Sequence, residues 1–145
     1  MRKKLFVRIA VGGTVFLLAG FVAIEAGISY VGSIRGYDIN ADDIRIGGIH
    51  SASDTENFRG SCDYFYDQRK EQSCRCLADR SKTDLSWFDI SMMAAEYTGR
   101  NMDILRLWKG YADNFIVGKA DTLEFDRFKA GVSARQSAVK SMCNL

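Results

Sequence analysis

Ile9 to Ile24 is a run of sixteen residues without a charge, and Arg2, Lys3, Lys4 and Arg8 stand in front of it. A basic flank before an apolar run stays on the cytoplasmic side of a membrane while the chain beyond it is exported. This constrains everything downstream, because the remainder then folds in an extracytoplasmic, oxidising compartment. Two readings of the stretch compete. A retained anchor needs roughly 20 apolar residues, and Leu5 to Ile24 supplies them once Arg8 snorkels back to the headgroups. A cleaved signal peptide has an apolar core of about 7–15 residues followed by small residues, and Ile24-Glu25-Ala26 before Gly27 is a tolerable site. The run exceeds the usual signal core, which favours the anchor. Gly13, Gly20 and Gly27 recur every seven residues, nearly on one helix face, where small residues let another membrane helix approach closely.

Beyond that segment about 115 residues remain, enough for one small domain with a modest core. There is no proline in the chain, so long uninterrupted helices are permitted. The formal charge of +2 is a property of the N-terminus: without Arg2, Lys3, Lys4 and Arg8, 16 basic residues face 18 acidic ones. No clustered Lys/Arg face is offered to nucleic acid, and no such partner is expected.

Three regions follow from composition and period. Residues 1–31 form the signal-anchor or transmembrane helix, residues 32–57 a flexible linker, and residues 58–145 an exported helical domain. The linker is rich in Gly, Ser and Asp. Inside it Tyr37 with Ile39, and Ile44 with Ile46, alternate about Asn40–Asp43, which leaves room for a short hairpin. From Phe58 the spacing turns helical. Phe58, Cys62 and Phe65 share one face flanked by Tyr64 and Tyr66, and Cys74 to Leu77 opens a short second helical turn. Ser86 with Asp89 forms a capping box before Trp87, Ile90, Ala94 and Tyr97, and Gly99 is placed to end that helix. Ile104, Trp108, Tyr111 and Phe115 make the next stripe, closed by Gly118. Asp121 with Glu124 starts the last, whose stripe is Phe125, Phe128, Val132, Arg135, Val139 and Met142. Arg135 breaks that apolar row. Either its stem is buried at the rim, the commoner arrangement, or it pairs with an acid.

The four cysteines, Cys62, Cys74, Cys76 and Cys143, all lie on the exported side. An even count there implies two disulfides, with three connectivities available. Pairing Cys74 with Cys76 closes a very tight ring and ranks last. The other two both tie the first helix to the Cys74–Cys76 turn, and that turn to the C-terminus. The competing chemistry is thiol–disulfide exchange at Cys74 and Cys76, or Cu(I) held by that pair with thioethers from Met92, Met93, Met102 or Met142. The spacing fits no zinc finger, haem or Cys-x-x-Cys motif.

Other catalysis finds little support. His50 is the single histidine and falls in the linker, so a histidine-based triad has no rigid base. Glu56, Glu71, Glu96 and Glu124 are scattered, and Glu96 has no second carboxylate marked out as its partner. Gly12-Gly13 and Gly47-Gly48 lack the ending of a phosphate loop. No catalytic residue, metal site or cofactor is therefore expected.

The expected architecture is mainly α: an N-terminal single transmembrane or signal helix, a linker, and a small disulfide-stapled bundle of three to five helices. The expected role is a non-catalytic membrane-anchored module of an envelope complex, with Phe58, Tyr64, Phe65 and Tyr66 offered to a protein partner. A periplasmic thiol or copper protein is the alternative, and a small-ligand carrier using a pocket among the aromatics the third. The expected location is a bacterial-type inner membrane with a periplasmic C-terminal domain, or the periplasm or exterior after cleavage near Ala26.

Overall fold

Two capping boxes set where the helices begin. Ser51 Oγ accepts from the Asp54 amide at 3.0 Å while Asp54 Oδ2 accepts from the Ser51 amide at 3.3 Å, and Ser86 repeats the exchange with Asp89 at 3.1 and 2.9 Å. Each satisfies two backbone donors that a helix start leaves without a partner. In the computed structural model residues 34–47, 51–116 and 122–145 are described. The apolar run with Gly13, Gly20 and Gly27, and also His50, Gly118 and Asp121, lie outside them. Among the described residues there are five helices and no strand: α1 (Ala52–Phe65), α2 (Glu71–Asp84), α3 (Trp87–Tyr97), α4 (Asn101–Phe115) and α5 (Thr122–Met142). None of the five is long and apolar enough to cross a membrane.

The helix α3 organises the domain because it is apolar on nearly every side, a pattern that demands burial all round. It packs against α1, α4 and α5, while α2 packs against α1 and α5. Ile90, Met93 and Tyr97 face one apolar cluster with Phe58, Leu77, Leu85, Val139 and the half-cystines Cys62, Cys74 and Cys143. Phe88 and Met92 face a second, with Ile39, Leu107, Tyr111 and Val132. Around Phe88 the rings of Trp108, Tyr111 and Phe128 lie at 5.2, 6.1 and 5.3 Å between centroids, within the range where aromatic pairs attract. Gly99 closes α3 with φ +66°, a conformation that costs glycine least.

Three expectations are corrected. The single turn at Cys74–Leu77 is a helix of 14 residues. Its outer face carries no apolar period to betray it, only the charge pairs Glu71–Arg75, Asp79–Lys82 and Arg80–Asp84 at 3.0, 3.0 and 3.3 Å, each worth about 0.2–0.5 kcal/mol to a helix. The first helix begins at Ala52 rather than Phe58, because Ser51 and Asp54 already cap it inside the stretch assigned to the linker.

That stretch also contributes to the core. Ile39 is buried, and the Tyr37 amide donates to the Arg106 carbonyl at 3.2 Å. No hairpin forms there. Asn40 Oδ1 instead accepts from the amides of Asp42 and Asp43 at 2.8 and 3.3 Å, an Asx turn that competes with strand pairing. The turn is fastened to the start of α3, where the Phe88 amide donates to the Asp43 carbonyl at 2.9 Å. Gly110 on α4 makes the close approach possible: a Cβ there would sit 2.2 Å from the Tyr37 carbonyl oxygen.

Candidate functional site

The cysteines resolve into Cys62–Cys74 and Cys76–Cys143, both with Cα atoms 5.6 Å apart. Residues two apart on a helix point to different sides at about 100° per residue, so Cys74 meets α1 while Cys76 meets the end of α5. All four cysteines are bonded. The thioether candidates are dispersed. Met92 and Met93 are core residues, whereas Met142 is exposed.

The aromatic residues at the end of α1 divide sharply. Phe58 is 1% exposed and belongs to the core, so it offers nothing to a partner. Tyr64 and Phe65 are 75% and 54% exposed. Phe65 keeps one edge on Tyr66 and Tyr97, with ring centroids 4.9 and 5.0 Å away. Beyond them the chain turns through Asp67 and Gln68 at φ 52° and 58°, a left-handed pair that reverses it into α2 within a few residues. Two apolar aromatic side chains are thereby held in solvent three residues or fewer from the Cys62–Cys74 bond.

Arg135 is paired with an acid. Its Nε and Nη2 donate to Asp89 Oδ2 and Oδ1, each at 2.9 Å. Asp89 is fully buried and Gln136 Nε2 donates to its carbonyl at 3.2 Å. Arg135 and Gln136 come between Val132 and Val139 on α5, the two residues that contribute to the separate apolar clusters. The break in the last stripe was the available signal for this pair. Glu96 is exposed, with its carboxylate 4.0 Å from Lys140, and Lys140 lies 5.4 Å over the Tyr97 ring.

A cleft of about 300 Å³ opens between α1, α3 and α4, the lower end of volumes that hold small ligands. Phe58, Ile90, Ala95 and Leu107 border it but are no more than 4% exposed, and Trp87 and Ala94 line it as well. Polar groups enter from three directions: Asp54 and Asn57 from α1, Ser91 from α3, and Arg100 and Asp103 from the start of α4. Tyr37 closes the rim, its hydroxyl donating to Asp103 Oδ1 at 2.9 Å. Burial first, then the hydrogen bond to the Asp103 carboxylate and its charge, raise the Tyr37 pKa. Of these residues only Phe58 stands out in the sequence, as a candidate contact for a protein partner; the others come from four separate segments and share no local pattern that marks a site. Among the described residues no group of three or more His, Cys, Asp or Glu is placed to hold a metal.

Comparison with protein-family models, with characterised proteins and with solved structures yields no match to this chain.

Proposed function

We propose that the chain is a non-catalytic, membrane-anchored interaction module, with its helical domain on the periplasmic side of a bacterial-type inner membrane as an accessory or assembly subunit of an envelope complex. The observation that carries this reading is the Tyr64–Phe65 pair, exposed at the disulfide-pinned end of α1. Rigid, solvent-facing aromatic residues lose little entropy on docking and bury large apolar area, which is why they anchor interfaces. The membrane half of the proposal rests on the basic flank and apolar run, with Gly13, Gly20 and Gly27 facing a partner helix.

The test is crosslinking in intact cells with Tyr64→Ser and, separately, Gly20→Leu with Gly27→Leu. Loss of a specific crosslinked protein in each case, with an unchanged melting temperature for Tyr64→Ser, is the expected result. Full retention of the same products in both variants would refute the module. The thiol or copper reading fits less well, because Cys74 and Cys76 are bonded to different, distant partners and present no dithiol. It requires alkylation of one of them in the native, non-reduced protein.

A further inference from the structure

We propose that the Cys76–Cys143 bond is a reducible clasp: an external dithiol opens it while Cys62–Cys74 stays closed, and the freed end of α5 uncovers further apolar surface beside Phe65. The two bonds differ in access. Cys62 and Cys74 are both fully buried inside the first apolar cluster, so a thiol reaches that bond only after α1 and α2 separate. Cys76 is half-buried and packs on the outside of the same cluster. A disulfide breaks by direct attack of a thiolate on one of its sulfurs, and access decides which bond is attacked first. One thiolate of the dithiol attacks Cys76 Sγ, the bond to Cys143 breaks, and the Cys143 thiolate leaves and takes up a proton. The second thiol then attacks the mixed disulfide, which releases Cys76 as a thiol and leaves the dithiol oxidised to its own disulfide.

The bond holds a short piece of chain. Arg135 and Gln136 are fixed to Asp89 by hydrogen bonds of 2.9, 2.9 and 3.2 Å, which anchors α5 up to that turn. Beyond Gln136 only Val139 and Cys143 are buried. Among the described residues the polar ties there are a bond from Lys70 Nζ to the Asn144 carbonyl at 3.2 Å and the 4.0 Å Lys140–Glu96 pair. Both lie at the surface, where such contacts contribute little. With the disulfide open, two small buried side chains remain to hold the last two turns, the kind of end that opens locally at low free energy. That end covers Tyr97, a buried residue that shares a cluster with Val139 and Cys143 and carries Lys140 5.4 Å over its ring. Phe65 lies 5.0 Å from the same ring. Fraying of residues 137–145 thus joins Tyr97 to the exposed Tyr64–Phe65 pair and enlarges its apolar area.

This inference deepens the docking role and rests on it for its last step only. The test is timed treatment of the detergent-solubilised full chain with dithiothreitol, followed by alkylation and peptide mass spectrometry, with amide hydrogen exchange measured on the partly reduced protein. Cys76 and Cys143 should become alkylated together, faster than Cys62 and Cys74 by about tenfold or more. Exchange should rise in residues 137–145 and stay unchanged in residues 123–135. Reduction of both bonds at one rate, earlier reduction of Cys62–Cys74, or unchanged exchange in residues 137–145 overturns the clasp. Cys76→Ser with Cys143→Ser gives a permanently open form, in which the crosslink that depends on Tyr64 should rise about twofold or more; an unchanged yield overturns the coupling to docking. If Tyr64→Ser removes no crosslink from the parent protein, the docking reading fails by itself, while alkylation and exchange still decide the clasp.

Discussion

Asp89 and Arg135 clasp each other through two hydrogen bonds of 2.9 Å across 46 residues of chain. The same carboxylate accepts from the Ser86 amide and hydroxyl at 2.9 and 2.8 Å, so one buried aspartate both starts α3 and docks α5. A buried ion pair repays its desolvation only when geometry is good and the remaining lone pairs are used. Here both conditions are met, and the pair specifies which turn of α5 lies against the capped end of α3.

Removing one partner is therefore far costlier than removing both. Arg135→Met keeps the aliphatic stem but leaves the Asp89 charge uncompensated, and should destabilise by about 3–5 kcal/mol. Adding Asp89→Asn, which keeps a side-chain oxygen for the cap, should recover part of that loss. Denaturant unfolding of the two variants checks this, and equal stability of Arg135→Met and the parent protein would show that the pair contributes nothing.

The two disulfides should differ in what they contribute. Cys76–Cys143 spans a separation of 67 residues and Cys62–Cys74 one of 12. In the chain-entropy view the longer closure is worth about 4 kcal/mol and the shorter about 3 kcal/mol. Replacing Cys76 and Cys143 together by Ser should lower stability more than replacing Cys62 and Cys74, as read from denaturation midpoints under non-reducing conditions. The reverse order would mean that packing around Cys62 and Cys74, both fully buried, outweighs loop closure.

Tyr97 predicts an alkaline limit. Its hydroxyl is buried and has no partner at hydrogen-bonding geometry among the described residues. Burial first, then the Tyr66 hydroxyl and the Glu96 charge, push its pKa well above the ordinary value of 10.0. The folded chain then holds a proton that the unfolded chain gives up, so stability is fully present below about pH 10 and declines as pH rises toward the folded pKa. Tyr97→Phe should flatten that decline. Near neutrality it should leave stability unchanged or raise it by about 1 kcal/mol, since an unsatisfied buried hydroxyl is removed. Thermal melts at neutral pH and above pH 10 decide it; an unaltered alkaline limb would show that another group is responsible. Tyr37 and Tyr111 are raised as well, so some decline should persist.

Helical spacing and capping chemistry are local, and for that reason they were legible. Ser86 with Asp89, the Trp87–Tyr97 stripe, the Ile104–Phe115 stripe, Gly99 and the course of the last helix could all be read from neighbours along the chain. The capping box at Ser51 and Asp54 is equally local, but the Gly-, Ser- and Asp-rich residues that precede it have the composition of a linker and mask it. For α2 there was little to read, since a helix held by Cys74, Cys76, Leu77 and a sheath of charge pairs carries only a short apolar stripe.

What the chain's own order of residues determined was a helical domain with two disulfides, because period, caps and cysteine number depend on near neighbours and on count. Which cysteines pair, which acid meets Arg135, why Gly110 must be glycine, and how Asp54, Trp87 and Arg100 come to line one cleft were decided only in three dimensions. Each depends on segments tens of residues apart being packed together, and the geometry of that packing is set by the whole core and by no local stretch of sequence.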